Sequence, residues 1–244
     1  MRFVHEFIDR AHAVRDDAEL SGLVHDAIRE LGFHYYALIH HVDLRRPFPG
    51  IVHLQNYPPA WAEHFIHSRA FLEDPVFHAS LRTNVGFAWE RISDLIRPTR
   101  HQREIFEAAG REGIGEGFTM PANIPGERHG SASFATRRGR DLPRRHLPIA
   151  ELLGAYAFEA ARRLRRRTAF APEPAQLTER QRECLIWAAR GKTDAEIATI
   201  LGVGRPTIKK HFDAARERYD VLRRQQMIVA ALFDGQISFL ETLH

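Results

Sequence analysis

The stretch from Leu177 to Ala231 constrains this chain more than any other, because three helical patterns follow one another there with almost no connecting residues. Thr178 with Gln181 has the spacing of a capping box, and Leu185 and Ala188 carry the apolar face until Gly191 stops the helix. Thr193 with Glu196 is a second box, followed by apolar Ile197, Ile200 and Leu201, with Gly202 as the stop. A third helix starts near Arg205-Pro206, where Pro costs little because an early helical amide has no partner to lose. Its apolar positions are Ile208, Phe212, Ala215 and Tyr219, and the opposite face carries Thr207, Lys209, Lys210, Arg216 and Arg218. A short helix, a tight turn and a second helix with a basic exposed face form the unit that enters a DNA major groove.

This segment resembles the C-terminal DNA-binding domain of the LuxR family of bacterial transcription regulators. The resemblance is carried by Leu177-Thr178, Arg180, Glu183, Leu185, Gly191-Lys192-Thr193, Glu196-Ile197-Ala198, Leu201, Val203, Thr207-Ile208-Lys209 and His211, without gaps. Two positions depart from the family pattern. Gln181 stands where the family nearly always has Glu, and Gly204-Arg205-Pro206 replaces the usual Ser-led start of the recognition helix, removing a capping side chain. We expect Thr207, Lys209, Lys210 and His211 to face DNA, with Arg205 and Arg216 on phosphates. Twofold symmetry of a homodimer would match a pseudo-palindromic double-stranded site.

Upstream, Phe3, Val4, Phe7, Ile8, Ala11 and Val14 repeat at helical spacing, and a second helix carries Leu20, Leu23, Val24, Ala27, Ile28 and Leu31 before Gly32. Residues 33–42 are rich in aromatic and β-branched types and read as a strand, 43–50 as a turn, and 51–55 as a partner strand. Pro58-Pro59 opens a helix with Trp61, Phe65 and Ser68 on one side, and Asp74-Pro75 opens a shorter one. Residues 86–90 read as a strand, and Thr99 with Gln102 caps a helix through Ile105, Phe106 and Ala109. Residues 117–121 and 131–136 read as two strands around the turn Pro125-Gly126. A long helix over 143–167 carries Leu147, Leu152, Leu153, Tyr156, Ala160 and Leu164. The expected fold class is α+β: an N-terminal α/β/α sandwich around an antiparallel sheet, then an all-α helix-turn-helix domain. The domains are 1–167 for ligand binding and dimerisation, the Pro-containing linker 168–176, and 177–244 for DNA binding.

Composition excludes several classes. The chain of 244 residues is long enough for two modest domains. Its single cysteine, Cys184, forms no disulfide within the chain, which fits a reducing compartment. The first residues lack the apolar region of a signal peptide, and no apolar run approaches the ~20 residues of a membrane helix, so a cytoplasmic protein is expected. The 15 histidines include His64 with His67 and His40 with His41, but neither pair has a Cys or carboxylate at ligand spacing, and no metal or cofactor is expected. No nucleophile with a base is visible, which argues against an enzyme. Arg137, Arg138, Arg140, Arg144, Arg145, Arg162, Arg163, Arg165, Arg166 and Arg167 concentrate positive charge within one stretch. It reads as a solvated helix face plus a loop, or as a surface attracting the DNA backbone.

A cavity for a small amphiphile needs an apolar tunnel and a few fixed polar groups. The first half of the chain resembles the acyl-homoserine-lactone-binding domain of the same LuxR family, through Asn56-Tyr57-Pro58, Trp61, Asp74-Pro75-Val76, Trp89 and Glu116-Gly117-Phe118-Thr119-Met120-Pro121. The resemblance implies that Trp61 donates to a lactone carbonyl, that Asp74 accepts an amide N–H, and that Tyr57, Phe65, Val76 and Trp89 line the pocket. Ser131 and Ser133 are candidates for an acyl-carbonyl contact. On pattern alone, Trp61 and Phe65 would be core residues and Asp74 an N-cap ahead of a Pro. Phe65 stands where the family usually has Tyr, so one hydroxyl is missing from the helix face it shares with Trp61. A quorum-sensing transcription regulator with an acyl-homoserine lactone ligand is the reading that follows, dimerising near residues 150–167, with RNA polymerase as a further candidate partner. The alternative is an orphan regulator that binds DNA without a lactone or answers another small molecule.

Overall fold

The computed structural model describes residues 2–45, 50–124, 127–168 and 176–243, with side chains of the third stretch described through residue 165. The chain divides into two compact units, the first built from Met1–Asn123 and Arg128–Ala171 and the second from Pro172–His244 with Ile124–Glu127. Residues 169–175 of the expected linker and the turn at Pro125-Gly126 lie outside the described residues, as do residues 46–49 of the expected turn.

The first unit opens with α1 (Arg2–Ala13) and α2 (Asp17–Glu30). Asp16 starts α2 by accepting the Glu19 amide at 2.9 Å, a contact of roughly 1 kcal/mol. Gly32, at φ +95°, ends it. The amide of Phe33 then reaches back to the Ile28 carbonyl and that of Gly32 to Arg29, which closes the last turn as a Schellman motif. Phe33 is therefore spent on ending the helix, and strand β1 is Tyr35–His40, shorter than the apolar run suggested.

Strand β2 (His53–Gln55) follows, then three helices in quick succession: α3 (Pro59–His67), α4 (Ala70–Glu73) and α5 (Pro75–Ser80). Only Phe87–Ala88 of the expected 86–90 strand pairs, as β3, and Trp89–Arg91 turns instead into a short 3-10 helix. Next come α6 (Ile92–Leu95), α7 (Arg100–Arg111) with the Thr99–Gln102 capping box formed, β4 (Ile114–Ala122), β5 (Gly130–Arg137) and α8 (Leu147–Thr168). The sheet order is β2-β1-β5-β4-β3, with every pair antiparallel.

Alternation along the strands decides what each face holds. Tyr36, Leu38, Phe118, Met120, Ala132 and Phe134 join one core with residues of α1, α2 and α8. The intervening positions Ala37, Ile39, Ser131 and Ser133 face a cavity that is completed by residues of α3, α5 and α7. Helix α8 packs through Ala150, Leu153, Ala157, Phe158, Ala161 and Leu164. Leu152, expected on that face, sits one position off the buried stripe and is 48% exposed.

The arginine-rich stretch divides: Arg137, Arg138, Arg140, Arg144 and Arg145 are exposed, as a solvated surface would have them, whereas Arg162 is buried and Arg163 and Arg165 are half-buried. Arg163 donates to the Ala11 carbonyl, and Arg165 ties Asp17 and the Ile51 carbonyl to α8. Arg144 grips Glu90 through two bonds, Arg138 donates to the Gly110 carbonyl, and buried Arg162 pairs with Glu159. Apart from the Arg162–Glu159 pair within α8, these guanidiniums tie elements of one unit together. The side chains of Arg166 and Arg167 lie outside the described residues.

The second unit is all helical: α9 (Glu179–Ala189), α10 (Asp194–Leu201), α11 (Arg205–Tyr219), α12 (Arg224–Phe233) and α13 (Phe239–Leu243). Both expected capping boxes form, at Thr178–Gln181 and Thr193–Glu196. Gly191 and Gly202 each sit at positive φ beside a Schellman closure, with Lys192 reaching Trp187 and Val203 reaching Ala198. The last two helices were not expected. Met227, Ala231 and Ile237 from that region close the core begun by Leu185, Ile197, Ile208 and Phe212. Ile200 lies outside that core, 43% exposed. Cys184 is buried in it, and burial pushes its thiol up to about 11, which makes it a packing residue and not a nucleophile. Among the described residues no helix is long and apolar enough to cross a membrane.

Candidate functional site

The cavity of the first unit gathers Tyr57, Trp61, Phe65, Asp74, Val76, Trp89, Ser131 and Ser133, all eight of the residues expected to meet a ligand. Each arrives by a different local device. Asn56 accepts the Tyr36 amide at 2.6 Å and donates to the His34 carbonyl at 3.2 Å, which fixes the chain just before Tyr57 against β1. The Tyr57 ring then packs on Tyr35, with centroids 5.9 Å apart. One helical turn separates Trp61 from Phe65 on α3, and their rings lie 5.5 Å apart. Neither the Trp61 indole N–H nor the Tyr57 hydroxyl has a hydrogen-bond partner among the described residues.

Asp74 serves both readings of it at once. Its Oδ1 accepts the Val76 amide at 2.9 Å and so caps α5, with Pro75 at the first helical position. The same carboxyl lines the cavity. Burial pushes its pKa from 3.8 up to about 6, against the pull of the Val76 amide and of His78. A carboxylate offers about four acceptor sites, so capping leaves capacity for a ligand N–H. Burial and the nearby Asp74 charge also push the Tyr57 hydroxyl up, keeping it a neutral donor and acceptor.

The Glu116–Pro121 motif supports the cavity from behind its lining residues Trp89 and Ser133. Glu116 accepts the Leu142 amide at 3.0 Å. Gly117 is there for space: a Cβ on it would sit 2.4 Å from the Trp89 ring. Phe118 and Met120 point to the α8 side, while Thr119 points to the cavity side, where it accepts the Trp89 indole N–H at 2.8 Å and bonds the Ser133 hydroxyl at 2.8 Å. Trp89 was expected to line the pocket, and it does. Its ring lies 5.7 Å from Phe106, and its N–H is spent on Thr119. Thr119 is thus a positioning residue that sequence reasoning missed, although it stood inside the motif. Its signal was strand alternation, which puts it on the face opposite Phe118. Gln55, Phe71, Phe77, Ile105, Phe106 and His41 also line the cavity, and no local pattern marked them for it.

In the second unit α11 buries Ile208, Phe212 and Ala215, and this fixes which side is left for solvent. Arg205, Thr207, Lys209 and Lys210 are exposed, and His211 is half-buried. Arg216, also half-buried, is not free: Asp213 pairs with it one turn earlier. Gly204 is the N-cap and offers no side chain, so the first amides of α11 lack the bond that Thr178 and Thr193 supply to α9 and α10.

Residues 16–161 match the autoinducer binding domain, and residues 175–231 match the bacterial regulatory proteins of the luxR family. The class is therefore a transcription regulator that joins an autoinducer-binding domain to a helix-turn-helix DNA-binding domain. The chain is similar to the transcriptional activator protein AhyR of Aeromonas hydrophila, 28% identical over 236 residues that cover 94% of this chain and 90% of that one. It is similar to the transcriptional activator protein VanR of Vibrio anguillarum, 31% identical over 185 residues covering 75% and 76%. The crystal structure of Escherichia coli SdiA shares the fold, with a TM-score of 0.69 at 24% identity over 100% of this chain and 99% of that one. This chain belongs to the LuxR family of bacterial regulators.

Proposed function

We propose that this regulator takes an acyl-homoserine lactone in the cavity of its first unit and couples that binding to recognition of double-stranded DNA through α11. The observation that supports the reading is the polar equipment of an otherwise apolar chamber. One indole donor at Trp61, one neutral phenol at Tyr57 and one acceptor carboxyl at Asp74 line it together. A lactone carbonyl takes the Trp61 N–H, and the amide N–H goes to Asp74. The acyl carbonyl takes Tyr57 or Ser133, whose hydroxyl is oriented by the chain Trp89 to Thr119 to Ser133. Phe65 contributes a ring face without a hydroxyl, and Val76 contributes apolar wall.

Arg205, Thr207, Lys209, Lys210 and His211 are the proposed DNA-facing set, with Arg216 reaching phosphate only by giving up Asp213. The regulator acts as a homodimer on a pseudo-palindromic site, in the cytoplasm, with RNA polymerase as its partner at a promoter and without enzymatic turnover of the ligand. Helix α8 commits most of its apolar residues inside the protomer, which leaves Leu152, Ala155 and Glu159 as its outward stripe for a dimer contact.

The experiment is the melting temperature of the purified chain against acyl-homoserine lactones of graded chain length, because a ligand that binds only the folded form raises stability by mass action. A dose-dependent rise within one chain-length class is the expected result. No rise across the panel, from a folded protein that still binds DNA, transfers the reading to an orphan regulator, for which the missing hydroxyl at Phe65 is the sequence feature. Accumulation of hydrolysed lactone would replace the receptor with an enzyme.

A further inference from the structure

The cavity has a second polar pole that the lactone reading leaves unused. His41, the residue after β1, lines the chamber beside Ser131 of β5. Its Nε2 lies 2.9 Å from the Ser131 hydroxyl. Its Nδ1 is buried with no hydrogen-bond partner among the described residues. A buried polar nitrogen left unpaired costs about 1–3 kcal/mol, so its presence in an apolar wall asks for a partner. The ring is held edge-on to Phe77, with centroids 4.4 Å apart.

Register separates this pole from the first. Ala37 pairs with Ser133 and with Gln55, two residues before Tyr57, whereas Ile39, two residues before His41, pairs with Ser131. Two residues along a strand span roughly 7 Å. A ligand whose amide end sits by Tyr57 and Ser133 therefore meets His41 well down its chain, not at the carbons beside the amide.

We propose that His41 and Ser131 form a specificity site for a hydroxyl or keto oxygen carried on the middle or far part of the ligand's acyl chain. This rests on the cavity reading above and adds the class of chain it prefers. Burial and the neighbouring His129, His40 and His78 hold the His41 ring down to about 3, so the ring is neutral at physiological pH. A neutral imidazole offers one N–H and one lone pair, and the Ser131 hydroxyl can donate or accept. Either tautomer can therefore serve: Nδ1 accepts from a hydroxyl, or donates to a keto oxygen.

The test is calorimetric titration of the full chain with two ligand series. The first is acyl-homoserine lactones matched in length, with no oxygen, an oxygen at the third carbon, or a hydroxyl or keto group further along. The second is monoacylglycerols with the same chains, which carry no lactone. The expected result is roughly tenfold or greater preference for the distal oxygen over the plain chain. His41→Phe keeps the ring contact with Phe77 and should erase that preference. Ser131→Ala should erase most of it, and carries the comparison where His41→Phe does not fold, folding being checked by the thermal transition of the first unit. A wild-type chain that binds plain chains as well as oxygenated ones overturns the proposal, as does a preference that survives both substitutions. Binding confined to the monoacylglycerol series removes the lactone but still decides the His41 site by the same comparison. Binding of neither series overturns both.

Discussion

The two units solve the same problem, satisfying buried polar groups, over very different distances in the chain. In the DNA-binding unit the bonds that shape the helices are local. Thr178 meets Gln181 and Thr193 meets Glu196 three residues away, and each glycine stop closes on the turn before it. In the ligand unit the bonds that shape the cavity join Trp89 to Thr119, Tyr36 to Asn56 and His41 to Ser131. Basic residues of α8 and α11 divide the same way. Arg163 and Arg165 of the first unit are consumed by Ala11, Asp17 and Ile51, whereas Arg205, Lys209 and Lys210 of the second stand in solvent. A count of positive charge treats these sets as equivalent, and only the second is available to phosphate.

The largest expected effect tests whether the units are energetically separate. Phe134 is wholly buried between β5 and the helices behind it. Phe134→Ala should remove about 3–5 kcal/mol from the first unit. Calorimetry should then show one transition moving down while the amides of α9 to α11 keep their hydrogen-exchange protection. Loss of protection in both units together would show that the local bonds of the second unit do not suffice to hold it.

Next in size is the cavity carboxyl. Asp74→Asn should weaken lactone binding roughly 10- to 100-fold, since a hydrogen bond to a charged acceptor is replaced by a neutral one. Linkage gives the pH dependence its sign. The folded, unliganded chain holds the Asp74 proton up to about pH 6, whereas an ordinary Asp releases it near 3.8. Asp74's contribution to stability is therefore full below pH 3.8 and is lost as pH rises through about 6. A ligand N–H favours the ionised form, so lactone affinity should fall as pH drops below about 6. Titrations at pH 5 and pH 7 check this, and an equal slope in Asp74→Asn would assign it to another group.

A smaller effect contrasts the two sets of basic residues. Lys209→Ala and Lys210→Ala should each lower the slope of log affinity for DNA against log salt by about 1. Arg163→Ala should leave that slope alone and lower the melting temperature of the first unit instead. A salt slope that responds to Arg163 would erase the distinction between internal ties and DNA contacts. The smallest change, Thr193→Ala, removes one capping hydroxyl and should cost about 1 kcal/mol of the second unit's stability, read by denaturant unfolding.

How much was legible follows from the same contrast. The helix-turn-helix could be written down from capping boxes, glycine stops and a 3.6-residue repeat, because each acts within one turn of its own residue. The class of the first domain was also legible, and strand alternation already implied a two-faced sheet. What was missed there was non-local. Phe33 looked like strand and is used by the Schellman turn of α2. Trp89 looked like strand and packing, and its N–H is taken by a threonine 30 residues on. Helix α12 escaped notice because its packing partners are Leu185, Ile208 and Phe212, and α13 because it is held by Arg182 and Arg190 of the α9 region through Glu241, all far from them in the chain.

The sequence by itself determined the main helical caps and stops, the order of the longer elements up to α11 and the residue types that reach a ligand or a phosphate group. Only the tertiary structure decided that Asp74 is both cap and cavity wall, that Thr119 orients Ser133, that Arg163 and Arg165 tie α8 to its neighbours and that His41 meets Ser131. The reason is physical: a cap or a turn is a bond between neighbours and is encoded where it acts. A cavity is a coincidence of side chains brought together by strand register, and register is fixed only when the whole sheet packs.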